Sequence, residues 1–287
     1  GGCPMLGMDY AAQLKQKEEK VRALLGGYGP VNPIRGMEIP YHYRNKVIST
    51  FTTGWGGSLT SGIYAAGSHK VLPVESCLLQ DEVLDTVMQA VRAAAAVCRY
   101  QPYNEEKGTG LLRHCLLRRG VVTGQVMVVL VTAQPVLPGA RNFVKALLTE
   151  AEKRQVPVTT VVQNYNPRRT SVVLGEQEKV LYGKGFILDT LCGRTYALSP
   201  RSFYQINHSQ TEVLYGLAVE AAGLTGREVV LDAYCGIGTI GLTAAGHAKQ
   251  VVGVERNRDA VQDAIGNARR NGVKNARFFA ADATRWI

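Results

Sequence analysis

No apolar run in the sequence approaches the roughly 20 residues that a membrane-spanning helix needs. The longest candidate, Val121–Val131, is interrupted by Gly124 and Gln125 and reads as a strand. We expect no secretory leader, since the first residues have neither a basic start nor an apolar centre. There is no internal repeat and no low-complexity tract. Six cysteines (3, 77, 98, 115, 192 and 235) are spread too thinly over 287 residues to form a disulfide framework, which points to a reducing cytosol and a cytoplasmic protein. Charged residues make up 20% and hydrophobic ones 46%, which excludes a mostly disordered chain. The first residue is glycine rather than methionine, and we expect an interior piece of a longer protein.

The length suits about two domains. Lys and Arg number 33 against 23 acids, a net charge of +10. The excess is uneven: 24 basic against 17 acidic residues precede Arg227, and 9 against 6 follow from it. A polyanionic partner such as RNA and a merely basic soluble surface both fit that charge.

Along the first 200 residues the patterns predict a mixed α+β domain. Tyr10–Leu25 reads as an amphipathic helix stopped by Gly26-Gly27, and Asp81–Val97 as an Ala-rich helix with acids in its first turn. Strands are expected at 46–53, 59–65, 110–117, 125–132, 157–164 and 170–174, with a helix at 140–154. After Pro200 the texture changes to strict alternation. A helix at 209–222 is followed by strand 228–232, helix 239–245, strand 250–254, helix 259–271 and strand 276–280, the signature of a doubly wound parallel sheet. We therefore expect domains 1–200 and 201–287.

The most specific local signal is Val229-Val230-Leu231-Asp232-Ala233-Tyr234-Cys235-Gly236-Ile237-Gly238-Thr239-Ile240-Gly241. An apolar strand meets an acid, then a glycine turn, then a helix. Gly236 and Gly238 let the backbone turn sharply and approach a ligand. Glu255 ends the second strand, 19 residues after Gly236, where the ribose of a bound nucleoside lies. Asp282 follows the third strand. Gly236-x-Gly238-x-x-Gly241 also fits the dinucleotide fingerprint, so a nicotinamide-dependent oxidoreductase is one alternative. Asp232 favours S-adenosylmethionine, because a carboxylate repels a pyrophosphate and attracts an ammonium. A glycine turn serving only strand–helix packing is the bland reading.

Phe203-Tyr204-Gln205-Ile206-Asn207, the Asp232–Gly241 loop and Gly253-Val254-Glu255-Arg256-Asn257 resemble the S-adenosylmethionine-dependent RNA uracil-5-methyltransferases, in particular the 23S rRNA type of the iron–sulfur subgroup. Upstream, Tyr43-Arg44-Asn45-Lys46, Leu112-Arg113-His114 and Tyr182-Gly183-Lys184-Gly185 resemble that family's central motifs, so the likeness covers nearly the whole chain. It implies a class I methyltransferase sheet, incomplete here, preceded by an RNA-facing α+β domain in a monomer. It implies cofactor contacts at Gln205, Asp232, Tyr234, Gly236, Gly238, Thr239, Glu255 and Asp282. Members often carry Phe at the Tyr234 position and Asn at the Thr239 position. The family's nucleophilic cysteine and catalytic carboxylate lie further downstream than Ile287, so no catalytic residue is expected here, and inactivity of this chain alone follows. In the family a cysteine thiolate adds to uracil C6, C5 takes the methyl group, and a base removes the C5 proton.

The resemblance also matches Cys3 and Cys77 to two of the four ligands of a 4Fe–4S cluster. Without it, Cys77 reads as a packed cysteine. A substrate contact and a satisfied strand histidine are even readings of His114 beside Arg113. Arg168-Arg169 reads as a solvated turn or a phosphate contact, and Tyr41-His42-Tyr43-Arg44 as RNA stacking or core packing. Cys235 reads as a turn filler rather than a nucleophile. A non-catalytic RNA-binding module is the third alternative.

Overall fold

In the computed structural model, which describes residues 3–286, helix α1 (Tyr10–Leu25) forms where its pattern and caps require. The Asp9 carboxylate accepts the N–H groups of Ala11 and Ala12. Its apolar face is covered only at Leu14, which lies against Gly36, while Val21, Leu24 and Leu25 stay exposed, and α1 buries no residue. It is held by the segment behind it, through Met37 N–H to the Tyr10 hydroxyl and Ile34 N–H to the Glu18 carboxylate.

Seven strands make the large sheet: β1 (Lys46–Thr53), β2 (Leu59–Tyr64), β3 (Val71–Pro73), β4 (Leu112–Arg119), β5 (Val126–Thr132), β6 (Thr160–Tyr165) and β7 (Gln177–Tyr182), in the order β3-β2-β1-β4-β5-β6-β7. Neighbours are antiparallel except β5 and β6, which are joined through helix α3 (Ala140–Lys153). Helix α2 (Glu82–Val97) and α3 cover one face, burying Val87, Val91, Phe143 and Leu147 against Leu117, Val128 and Leu130. The opposite face brings Leu116, Met127, Val129 and Val162 into a second core. Strands β4 and β5 are thus covered on both sides, which explains their near-continuous apolar runs.

Two expectations fail between residues 166 and 200. Thr170–Leu174 is not a strand. The side chains of Asn164 and Asn166 bond to Val172, Val173 and Gly175 backbone groups and hold this stretch as an irregular loop. The strand is β7, which begins three residues after Leu174 and whose polar, exposed pattern is that of a sheet edge. The hairpin β8 (Ile187–Leu191) and β9 (Arg194–Leu198) was not foreseen either. Its two turn residues, Cys192 (φ 49°) and Gly193 (φ 71°), both sit in the left-handed region of a type I′ turn. Cys-Gly lacks the usual Asn or Asp signal.

After α4 (His208–Ala221), capped by Asn207, come β10 (Val229–Ala233), α5 (Thr239–Ala244), β11 (Gln250–Glu255), α6 (Arg258–Arg270), β12 (Ala276–Ala280) and the single turn α7 (Ala283–Trp286). The strands are parallel in the order β10-β11-β12. This is the class I S-adenosylmethionine methyltransferase arrangement. Among the described residues β11 lies in the middle, so β10 and β12 each pair on one side, and Val229 is 60% exposed.

The hairpin is the seam between the halves. Tyr196 and Leu198 lie in one core with Leu116 and Met127 on one side and Ile237, Val261 and Phe278 on the other. Asn267 on α6 and Asn271, its C-cap, bond to the backbone of Ala197 and Thr195. Val122 N–H and the Tyr204 hydroxyl both donate to Asp189. Among the described residues no helix is long and apolar enough to cross a membrane.

Candidate cofactor site

Parallel strands present their C-terminal ends on one edge, and ligands of such sheets bind there. Asp232, Glu255 and Asp282 all come to that edge, since Ala233 pairs with Val254 and Glu255 with Ala280. The loop after β10 then winds through three left-handed residues, Tyr234 (φ 64°), Gly236 (φ 54°) and Gly238 (φ 82°). A left-handed non-glycine residue is uncommon, and Tyr234 points its ring outward, 67% exposed.

Two carboxylates shape this loop. Asp232 is buried and accepts the Gly241 N–H at 2.8 Å. Gly241 must lack a side chain, because a Cβ there would stand 2.7 Å from Asp232 Oδ2. Burial raises the Asp232 carboxyl to about 6, opposed by that hydrogen bond. Its Oδ1 makes no hydrogen bond to any described residue. Glu255 accepts Gly236 N–H at 3.2 Å with Oε2 and Asn257 N–H at 2.8 Å with Oε1, pinning the loop to the end of β11. Asp282 accepts the Thr284 hydroxyl and N–H, which lower its pKa.

Gln205 approaches from the segment before α4. Its carbonyl accepts Asn45 Nδ2 at 3.0 Å, linking the cofactor half to the end of β1. Thr239 is held from two sides: its hydroxyl meets the Tyr215 hydroxyl at 3.0 Å and its carbonyl accepts the Tyr196 hydroxyl at 3.2 Å. Burial raises the Tyr215 phenol, opposed by Thr239 and Gln205. Tyr215 thus links Thr239 to Gln205. A fixed glycine loop, a buried carboxylate with a free oxygen and an acid at the second strand end suit a ligand with an ammonium group and a ribose.

Tyr196, Tyr215 and Asn267 were not foreseen as part of this site. Asn267 is fully buried; its amide donates to the Ile237 carbonyl in the loop at 3.3 Å and accepts Ala197 N–H at 2.8 Å. A polar residue on the apolar face of α6 was its one available signal.

Cys235 faces Gly253 and Phe278, and burial pushes its thiol to about 12, which suits a turn filler and not a nucleophile. Cys3 lines a hollow of about 510 Å³ with Tyr10, Lys17, Arg35, Tyr43 and Arg44. Cys77 lies before α2, its N–H donating to Asp85. Among the described residues no group of three or more His, Cys, Asp or Glu side chains could hold a metal, so the cluster expected at Cys3 and Cys77 finds no support.

Residues 224–286 match the family model described as a methyltransferase domain. The whole chain is similar to curated bacterial proteins named as uncharacterised RNA methyltransferases. One from Halalkalibacterium halodurans is 43% identical over 99% of this chain and 62% of its own length. One from Listeria monocytogenes is 42% identical over 100% of this chain and 63% of its own. The chain thus spans a little over three-fifths of these relatives. Among solved structures, the Pyrococcus abyssi tRNA (uracil-54, C5)-methyltransferase in complex with S-adenosyl-L-homocysteine superposes with a TM-score of 0.80 at 25% identity, covering 98% of this chain and 65% of that one.

Proposed function

Over its whole length this chain is similar to bacterial RNA methyltransferases, and from that premise we propose that it binds S-adenosylmethionine at the β10–β12 edge for methylation of uridine C5 in RNA, with 23S rRNA favoured by the sequence resemblance and tRNA by the structural likeness. The observation that carries this reading is the whole-chain superposition on a uracil-C5 methyltransferase solved with the demethylated cofactor. When bound, the cofactor supplies an electrophilic methyl group on a sulfonium. Glu255 accepts the ribose hydroxyls, and Asp232 Oδ1 faces the ammonium. Gln205 fixes the edge of the donor or of the uracil. Tyr215 and Tyr196 keep Thr239 and the loop in place. The target uridine leaves its stack to reach this edge.

The ionised Asp232 beside the glycine turn argues against the nicotinamide alternative, because a dinucleotide pyrophosphate would meet a buried negative charge. Four of the cysteines offer no ready nucleophile: burial raises the thiols of Cys98, Cys115, Cys192 and Cys235, and a raised thiol does not supply a thiolate at neutral pH. We propose that the chain by itself binds the donor without transferring its methyl group.

Calorimetric titration with S-adenosylmethionine and with NAD separates the two cofactors: saturable binding of the first alone is expected, and the reverse result overturns the reading. Incubation with unmodified rRNA or tRNA and a methyl-labelled donor is expected to leave uridine unlabelled with this chain. A form spanning the full length of the relatives is expected to label C5. Label at another atom would overturn the uracil-5 assignment.

A further inference from the structure

The cofactor half covers only part of its face of the large sheet. Along β4 of that face, Leu116 packs in the shared core and Arg118 donates to the Ser202 carbonyl across the seam. His114, two residues earlier on the same face, is left outside that contact and borders a hollow of about 580 Å³. By the rise of a strand it lies about 14 Å from Arg118.

Three features define this hollow. Its floor is neutral: His114 and Thr50 are direct cross-strand partners with Nδ1 and Oγ1 3.1 Å apart, and Nε2 makes no hydrogen bond to any described residue. Burial lowers the His114 pKa to about 4, so the ring offers an uncharged hydrogen-bonding edge at physiological pH. One wall is aromatic: Tyr64, 38% exposed, stands edge-on to His69 with ring centroids 5.9 Å apart. The rim carries Arg169, exposed and without a carboxylate partner among the described residues, and Glu105, whose charge is met by Arg113 and His69. The neighbouring cations are engaged, Arg168 with Glu176 and Arg113 with Glu105, two carbonyls and the Tyr103 ring. A neutral polar floor, a stacking wall and one free cation at the rim match the base and the phosphate of a single nucleotide. The volume lies in the range of a small-molecule site.

We propose that this hollow is a second nucleotide subsite, which holds one unpaired base of the RNA strand near the acceptor uridine, with Tyr64 on the face of the base, His114 on its edge and Arg169 on its phosphate. The proposal rests on the RNA reading above. It gives the chain a means of choosing among uridines that a cofactor site lacks.

The test uses fluorescence anisotropy of a labelled single-stranded uridine-containing oligoribonucleotide, with a set of abasic versions that each lack one base. The parent chain should bind, and one abasic position near the acceptor should weaken binding between about fivefold and a hundredfold. Tyr64→Ala should lose a similar factor on intact RNA and nothing more on that abasic strand. Arg169→Ala should weaken every strand alike. S-adenosylmethionine affinity should be unchanged in both variants, which shows that they fold. If the parent binds RNA and Tyr64→Ala binds it equally well, or loses affinity equally on every strand, the subsite is overturned while the RNA reading stands. If the parent binds no RNA, both fail.

Discussion

Burial raises the Asp232 carboxyl to about 6, so the folded chain holds this proton more tightly than the unfolded one. Between about pH 4 and pH 6 folding takes up a proton, and the stability from this group falls as pH rises through that window and is flat above it. Asp232→Asn should remove the slope, which denaturant melts across that range will measure; an unchanged slope would assign it elsewhere. The same carboxylate must be ionised to face an ammonium. S-adenosylmethionine affinity should therefore drop as pH falls below about 6 in the parent, and be weak and pH-independent in Asp232→Asn. Glu255→Ala removes the charged acceptor that we propose for the ribose and an anchor of Gly236. Each such hydrogen bond contributes about 1.5–3 kcal/mol, so calorimetry should show affinity lower by tenfold or more. Equal affinity would take Glu255 out of the site. That Asp232, the glycines and Glu255 meet at one sheet edge could be read from the sequence, because spacing along one βαβ unit fixes it. Tyr196 and Tyr215 could not, because they reach Thr239 from a hairpin and a helix that the sequence keeps more than 20 residues away.

Helix α6 is the element that ties loop to hairpin. Asn267 spans the Ile237 carbonyl and the Ala197 N–H inside the core. Asn267→Leu would leave both backbone groups buried without partners, at a cost of about 1–3 kcal/mol for each. Chemical denaturation should show that loss, with reduced cofactor affinity because the loop is freed; a variant as stable as the parent would contradict the assignment. Gly253 on β11 faces Phe278 and Cys235, and an added Cβ would lie 2.3 Å from the Phe278 ring and 2.9 Å from the sulfur. Gly253→Ala should cost about 1–3 kcal/mol by overpacking, read as a lowered denaturation midpoint. Elements with a full apolar period, such as α2, β5 and β12, were legible at nearly their final bounds. β7 and the β8–β9 hairpin were not: one is an edge strand with a polar pattern, the other turns on an unmarked Cys-Gly pair.

At the scale of the molecule, the second core runs without a break from Leu116, Met127 and Val129 of the large sheet through Tyr196 and Tyr204 to Val261 and Phe278. We expect one cooperative unfolding transition, monitored by tyrosine fluorescence and far-ultraviolet circular dichroism together. Two separated transitions would show that the halves fold independently. The net charge of +10 predicts that RNA affinity falls steeply with salt as counterions are released. The sequence by itself determined the alternating β and α units after residue 200, the glycine loop with its acids, and the basic balance, because strand–helix periodicity and turn stereochemistry act between residues close in the chain. Only the tertiary structure decided that the hairpin before Pro200 packs with both halves, that Asp232 is buried deeply enough to titrate near 6, and that Thr50, Tyr64, His114 and Arg169 surround one hollow. Burial, desolvation and the meeting of distant strands are set by packing between residues far apart in sequence, and periodicity along one segment carries no information about them.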